Sequence, residues 1–516
     1  MTTGPPVLPP VARRVLLAAG GLALLVQLVP SLLGGYGYFI DELYYLACAR
    51  RLAAGYVDHP PLSIVLLRAQ TALLGDSIPA LRFVPALAGA ALAVLTGLLA
   101  RRLGGGTFAQ ALAALATLAP PVYLVMFGFY SMNALELVLW VLAVHALVSL
   151  VETGEPRRWL WFGLVAGLGL LNKHTMATLG GAAVVALLLT PERRLLRSRW
   201  LWLAGLLAFV LLLPNLVWQV EHGWPSLEFY RNAGNKNIPT PPLAGLLNQV
   251  VFMNPVTLPL WLGGLGFLLV ARDVRRYRFL AFTYLLLLAA VLGARVSRPD
   301  RIGGIYPVLL AAGAVALERA TARIGGRGLR AAAVAVLVVG AAALAPVGLP
   351  VLPPDTLARY TAFLGLVPPI ERGEGKRSDL PQWFADRFGW PELVALVTRV
   401  VEGLPEEERR HAIVVAPSYG QAGALELMGR ELPPVFSGHN NYFLWGLEAA
   451  PRTDARLAIV IGSRAEDLRK VFEEVEAVAV YRCTHCTRWR DDMPVYVARR
   501  PRRPLAEVWP RARQFG

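Results

Sequence analysis

Cysteine is scarce in this sequence: three occur in 516 residues, too few for a disulfide framework, and Cys48 stands apart from Cys483 and Cys486. Charge is scarce as well. Asp, Glu, Lys and Arg make up 17% of the chain against 55% hydrophobic residues, and the mean hydropathy is +0.49. Those proportions exclude an ordinary soluble protein of two or three domains and indicate a polytopic membrane protein. No small-residue cleavage site follows the first apolar run, Val15 to Leu33, which comes after Arg13 and Arg14 and reads as a retained span. Glycine clusters such as GGRGLR lack both the strand-to-helix context and the lysine of a phosphate loop. There is no internal repeat and no long low-complexity tract. The formal net charge of +16 argues little for nucleic acid. Most Arg residues sit in short clusters between apolar runs, where they set topology and meet lipid phosphates.

What the chain does contain is a series of apolar runs, at 15–33, 81–100, 108–127, 133–151, 159–172, 175–190, 200–218, 249–270, 279–294, 305–318 and 330–346. Their lengths predict an α-helical polytopic membrane protein with about eleven transmembrane helices. Arg-bearing loops alternate with poor ones and share a side with Arg13 and Arg14. The excess of positive charge expected inside then puts the N-terminus in the cytoplasm, and the first long loop and everything after 346 outside. The Pro-rich PVGLPVLPPD marks the change of composition. It divides a membrane domain, 1–346, with a structured loop at 34–80, from a soluble domain, 347–516. In the latter HAIVVAP, ARLAIVIGS, AVAVYRC and MPVYVARR read as strands, and QAGALELMGRE and AEDLRKVFEEVE as helices. That alternation predicts a small α/β domain.

The loop between Leu33 and Leu81 carries unusual chemistry. Its stretch ELYYLACARRLAAG has one apolar face and a glycine stop, the pattern of a helix lying on a membrane surface. Asp41 and Glu42 stand at its start, where carboxylates complement the helix dipole and cap free N–H groups. The sharper reading makes one of them a general base, because partial desolvation raises a carboxyl pKa toward the working pH. Asp58 and His59, in DHPP, follow in the same loop, either as a turn or as functional groups stiffened by two prolines.

These features together, DE, an aromatic-rich helix, then GYVDHPPL, resemble the first outer loop of the dolichyl-phosphate-mannose protein mannosyltransferase-like enzymes, glycosyltransferase family 39 of the GT-C class. The segments GLGLLNKHTMATL, PNLVWQVEHGWPSLEFYRNAG, GGIYPVLLAAGA, FADRFGW, SYGQAGALELMG and SGHNNYFLWG are similar to further landmarks of bacterial members, so the resemblance covers nearly the whole chain. A more distant likeness is to the lipid A aminoarabinose transferase. The resemblance implies a GT-C fold and transfer of one sugar from a polyprenyl-phosphate carrier to a protein, glycan or lipid acceptor outside the membrane. It matches Asp41 to the catalytic base and Glu42 to its acidic neighbour. The chemistry agrees: the base activates an acceptor hydroxyl or amine, C1 is attacked opposite the phosphate, and configuration inverts.

A leaving phosphate needs cations. Arg295, Arg298 and Arg301 lie just before a span, and arginine clamps phosphate with paired hydrogen bonds. In the resemblance Arg298 before Pro299 and Tyr306 before Pro307 match the family best, whereas Gly303 and Gly304 replace bulkier residues. Lys173 matches a family lysine, although Asn172 and His174 depart from the pattern around it. Asp58 and His59 join the donor-binding set, and Tyr44, Glu136, His222 and Arg231 are candidate donor or lid contacts. Headgroup contact or snorkelling explains each cation without catalysis. No cofactor is required. A divalent metal would use His59, Glu221 and His222. The Cys483/Cys486 pair reads as a disulfide or as half of a zinc site, with His485 and His439 as the further ligands. A transporter or flippase of lipid-linked sugars is the competing class; it would place acidic groups near mid-bilayer in matched broken helices. A silent acceptor-binding scaffold is the third reading.

Overall fold

The computed structural model describes residues 8–33, 35–295, 298–366, 378–450 and 454–516. All eleven apolar runs are helical, but they are not eleven unbroken spans. Among the described residues seven helices are long and apolar enough to cross a membrane, from Arg13–Leu33 (α1) to Arg327–Gly348. The pair Pro242–Phe252 and Pro255–Val270 is long and apolar enough only when taken together and is bent by 91°, the form of a broken span or a re-entrant loop. Asn254 holds that bend, donating from Nδ2 to the carbonyls of Ala119 and Gly340 at 3.0 Å each. The other three runs fall short for local reasons. Residues 108–127 break before Pro120 and Pro121, whose missing N–H groups cannot continue a helix. Runs 159–172 and 175–190 become helices of 14 and 13 residues separated at Lys173, each shorter than the about 20 residues a bilayer core demands.

The loop helix expected on the membrane surface forms, as Ile40–Arg50 (α2), but it is not a surface helix. Ile40 and every residue from Glu42 to Ala49 are buried. One side faces Leu62–Leu74 (α3), and the other is covered by the C-terminal helix Tyr419–Met428. Loop and C-terminal residues form one apolar core in which Leu43, Tyr44 and Leu46 join Trp390, Leu425 and Val414. Glycines make the approach close. A Cβ on Gly423 would lie 2.9 Å from the backbone C and O of Leu43. Gly423→Val should therefore force the two helices apart and cost about 1–3 kcal/mol, to be read as a lower thermal midpoint and faster proteolysis of the C-terminal domain. An unchanged midpoint would contradict this packing.

Behind that helix lies a five-stranded sheet of order β2-β1-β3-β5-β4, formed by Ala412–Val415 (β1), Val435–Phe436 (β2), Leu457–Ile461 (β3), Phe472–Tyr481 (β4) and Met493–Pro501 (β5). β1 runs parallel to β2 and β3, while β5 is antiparallel to both β3 and β4. The expected helix AEDLRKVFEEVE stops at Val471, and FEEVE opens β4 instead. Pairing overrides the helical preference of glutamate: Glu474 faces Arg499 across the ladder, and Arg499 and Arg500 reach Glu476 and Glu474 at 3.1 and 3.0 Å.

Candidate active site

Asp41 and Glu42 are neighbours on α2, yet helical geometry turns their side chains about 100° apart, and their surroundings differ completely. Glu42 is fully buried. Its Oε1 accepts from Arg82 Nε at 3.0 Å and from the Tyr130 N–H at 2.9 Å; its Oε2 accepts from Arg82 Nη2 at 2.9 Å and from the Phe39 N–H at 2.8 Å. Four donors saturate the carboxylate, and it has no capacity left for a substrate proton. The structure thus places Glu42 as a structural anchor rather than a second catalytic group.

Asp41 is half-buried and receives one hydrogen bond among the described residues, from the Tyr419 hydroxyl to Oδ1 at 2.9 Å. Burial pushes its carboxyl up to about 7; the Tyr419 bond opposes that shift, the charges of Asp58 and Asp386 add to it, and that of Arg298 opposes it. Asp58 sits nearby. Its Oδ1 accepts from the Tyr44 hydroxyl at 2.8 Å, and that hydroxyl also lies 3.2 Å from Asn441 Oδ1. Asn441 Oδ1 in turn accepts the Val57 N–H at 2.7 Å, so the C-terminal domain pins the DHPP segment as well as α2.

Three of the expected cations converge. Arg298 makes a two-bond pair with Asp300 at 2.9 and 3.0 Å, and Asp300 also lies within electrostatic reach of Lys173 and Arg301. Lys173, at the break between two short helices, donates from Nζ to Glu136 Oε2 at 2.6 Å and to Asn133 Oδ1 at 2.8 Å. Arg301 is exposed and makes no ion pair among the described residues. Residues 296 and 297 of the same loop lie outside the described residues.

Other expected residues do not join this group. Tyr306 is fully buried in the helical core, donating to Gln249 Oε1 at 3.0 Å beside Tyr284; the proline after it starts a packed helix, and its ring is no donor contact. Arg295 is exposed at φ +51°, with its carbonyl accepting the Thr240 N–H at 3.1 Å. Arg231 is exposed on the helix Pro225–Lys236. His222 stacks on Trp218 at 4.2 Å and bonds its carbonyl through Nδ1 at 2.8 Å, and Glu221 beside it is exposed. His59 is buried between Tyr45 and Tyr56, with Nδ1 3.1 Å from the Pro60 carbonyl and Nε2 without a hydrogen-bond partner among the described residues. Asp58 lies 3.8 Å from that nitrogen. A metal would need a third ligand, and among the described residues no group of three His, Cys, Asp or Glu side chains is gathered to hold one. Cys483 and Cys486 are disulfide-paired.

Two members of the site escaped the sequence reading. Tyr230 bonds His174 Nδ1 at 2.7 Å and lies within electrostatic reach of Asp58, Arg301 and Glu136. Tyr419 comes from 378 residues away; its sequence signal is only the likeness of SYGQAGALELMG to a family landmark.

Comparison with known proteins bears on the fold that carries these residues. Residues 58–218 match the dolichyl-phosphate-mannose-protein mannosyltransferase family. No curated protein sequence matches. Among solved structures, ArnT from Cupriavidus metallidurans in the apo state aligns with TM-score 0.64 at 16% identity, over 94% of this chain and 98% of that one. The same enzyme bound to undecaprenyl phosphate aligns with TM-score 0.58 at 15% identity, over 94% and 98%. The archaeal oligosaccharyltransferase AglB from Archaeoglobus fulgidus, in complex with an inhibitory peptide and a dolichol-phosphate, aligns with TM-score 0.51 at 13% identity, over 87% and 69%. At these identities the likeness is one of fold. The chain thus has a GT-C-type fold like that of ArnT, with several helices long and apolar enough to cross a membrane, and its residues 58–218 match the mannosyltransferase family model.

Proposed function

We propose that the protein is an inverting glycosyltransferase that moves a single sugar from a polyprenyl-phosphate carrier to an acceptor hydroxyl or amine, with Asp41 as the base and the reaction on the extracytoplasmic side. The observation that carries the reading is a half-buried carboxylate, held near neutral pKa, within electrostatic reach of Arg298 in the Lys173, Arg298 and Arg301 group. Asp41 removes the acceptor proton as the acceptor attacks C1. The C1–oxygen bond to phosphate breaks on the opposite face, and the electron pair leaves with the phosphate. Arg298 and Lys173 are held by Asp300 and Glu136, so they are oriented before a donor arrives and their charge is partly balanced without it. Preorganised cations of this kind stabilise a leaving phosphate without reorganising during reaction. The solved relative bound to undecaprenyl phosphate supports the donor class, and the clustering of acidic groups with loop cations disfavours the transporter reading.

The test is to incubate protein in lipid nanodiscs with a panel of polyprenyl-phosphate sugars and membrane-derived acceptors, and to identify products by mass spectrometry. Arg301→Ala should raise the KM for donor about tenfold or more, the value of one charge-assisted hydrogen bond, with a smaller effect on kcat. Absence of any sugar transfer across the panel, together with movement of intact donor across the bilayer of sealed proteoliposomes, would favour the flippase instead.

A further inference from the structure

The C-terminal domain does more than cover α2, because it delivers a side chain to the candidate base. Tyr419 stands at the first position of its helix, whose N-cap Ser418 accepts the Gly420 N–H at 3.3 Å. The tyrosine ring lies in a run of three rings, 4.6 Å from Tyr44 on one side and 4.7 Å from His439 on the other. His439 is buried, and burial, with the Lys236 charge adding to it, pushes its pKa down to about 4, so the ring is neutral at physiological pH. Its Nδ1 faces the Tyr419 N–H at 3.4 Å and its Nε2 faces the Gly516 carbonyl at 3.0 Å, an arrangement that assigns the proton to Nε2. The segment around His439 is fixed in turn by the Asn440 N–H donating to the Gln514 carbonyl at 2.9 Å and by Asn440 Oδ1 accepting the Gly516 N–H at 3.2 Å. The two neighbouring tyrosines, their rings tilted by 31°, each serve one aspartate: Tyr419 donates to Asp41 and Tyr44 to Asp58.

We propose that Tyr419 is the positioning residue of the site: by occupying Asp41 Oδ1 it leaves Oδ2 as the proton acceptor, so that the C-terminal domain sets the orientation of the reacting carboxylate. The proposal rests on Asp41 being the base, and it assigns the soluble domain a part in the reaction that the membrane helices do not supply. A hydroxyl donor favours the charged form of a carboxylate, so its loss raises the pKa. The other groups acting on Asp41 are Asp58 from the same loop, Asp386 from the segment before Trp390, and Arg298 from the loop before Tyr306. None of them is altered by a change at position 419.

The test is an infrared pH titration of the full-length protein in lipid nanodiscs, with Asp41→Asn as the reference that identifies the Asp41 carboxyl band. Tyr419→Phe keeps the ring contacts with Tyr44 and His439 and removes the donor. It should move the Asp41 midpoint upward by about one pH unit, while His439→Phe, which keeps a ring but loses the accepting nitrogen, should move it in the same direction by less. An Asp41 midpoint unchanged by Tyr419→Phe overturns the proposal. The readout needs no substrate, so it stands apart from the transferase assay. If Asp41→Asn retains full turnover there, the base reading fails, whereas a Tyr419→Phe shift of the Asp41 midpoint still reports the Tyr419–Asp41 bond.

Discussion

Asp41→Asn should lower turnover of the polyprenyl-phosphate donor by about 10²- to 10⁴-fold, the usual contribution of a positioned general base, while making the protein more resistant to heat above neutral pH. Both effects follow from the same feature. Burial raises the Asp41 pKa to about 7 in the folded protein, against about 3.9 for an unperturbed aspartate. A group whose folded pKa is raised contributes stability that is fully present below its unfolded pKa and lost as pH rises through the folded value. Between about pH 4 and 7 the wild type thus progressively loses this contribution, and above 7 it holds a charged carboxylate against burial. Asparagine does not titrate and fills nearly the same volume. The difference in thermal midpoint between variant and wild type should therefore be negligible near pH 4 and largest at pH 8. Wild-type turnover, for its part, should fall about tenfold per pH unit below 7, as the base becomes protonated. A variant that turns over normally would mean a different base. A variant with the wild-type midpoint at pH 8 would mean that Asp41 is solvated well enough to carry its charge without cost.

The residues that sequence reasoning located, and those it missed, differ in how local their partners are. Helical runs are legible because apolar length is a property of the run itself; all eleven were found, and the differences arose where Pro120, Lys173 and Asn254 interrupt them. Lys173 is legible as an ionisable group between apolar runs, Asp41 as a carboxylate at the start of a loop helix, and Arg298 as an arginine in an outer loop suited to clamping phosphate. The partition of work between Asp41 and Glu42 is not legible, since it depends on Arg82, 40 residues away. Nor is the burial of α2. Its own pattern of Leu and Ala beside Arg50 and Arg51 is that of a half-exposed helix, and the covering surface is supplied by residues near 420, through glycines that mean nothing until two helices meet. Tyr419 belongs to the same class, since only tertiary structure gives its hydroxyl a carboxylate. The FADRFGW segment shows the rule once more. Trp390 Nε1 donates to the Tyr38 carbonyl at 2.8 Å, and buried Asp386 and Arg490 pair at 3.3 Å, so this landmark holds the entry to α2 from across the chain.

The largest structural effect should come from Arg82, which the candidate chemistry never touches. Its guanidinium gives two hydrogen bonds to Glu42 and one to the Gly37 carbonyl at 2.9 Å, and both members of the pair are almost entirely buried, at 1% and 0% exposure. Arg82→Ala would leave the Glu42 charge in that interior hydrogen-bonded only by the Phe39 and Tyr130 N–H groups, with buried Arg387 as the remaining cation within electrostatic reach, a change that costs about 3–5 kcal/mol. It should abolish turnover as well, because Glu42 ties the first turn of α2 to the start of the Met132–Thr153 region through Tyr130, and Asp41 sits on that turn. Arg82→Lys should rescue little, since an ammonium cannot reproduce the forked pair together with the bond to Gly37. Arg82→Leu combined with Glu42→Leu removes both charges and should recover most of the stability. Turnover should not return with it, because the Phe39 and Tyr130 N–H groups lose their acceptor and the helix start loses its anchor. Thermal unfolding and donor turnover of the four proteins in nanodiscs separate these effects. If Arg82→Ala melts within a degree of wild type, the pair is not the clasp that positions α2. If the double variant is fully active, Asp41 is held in place by Tyr419 and the C-terminal domain alone.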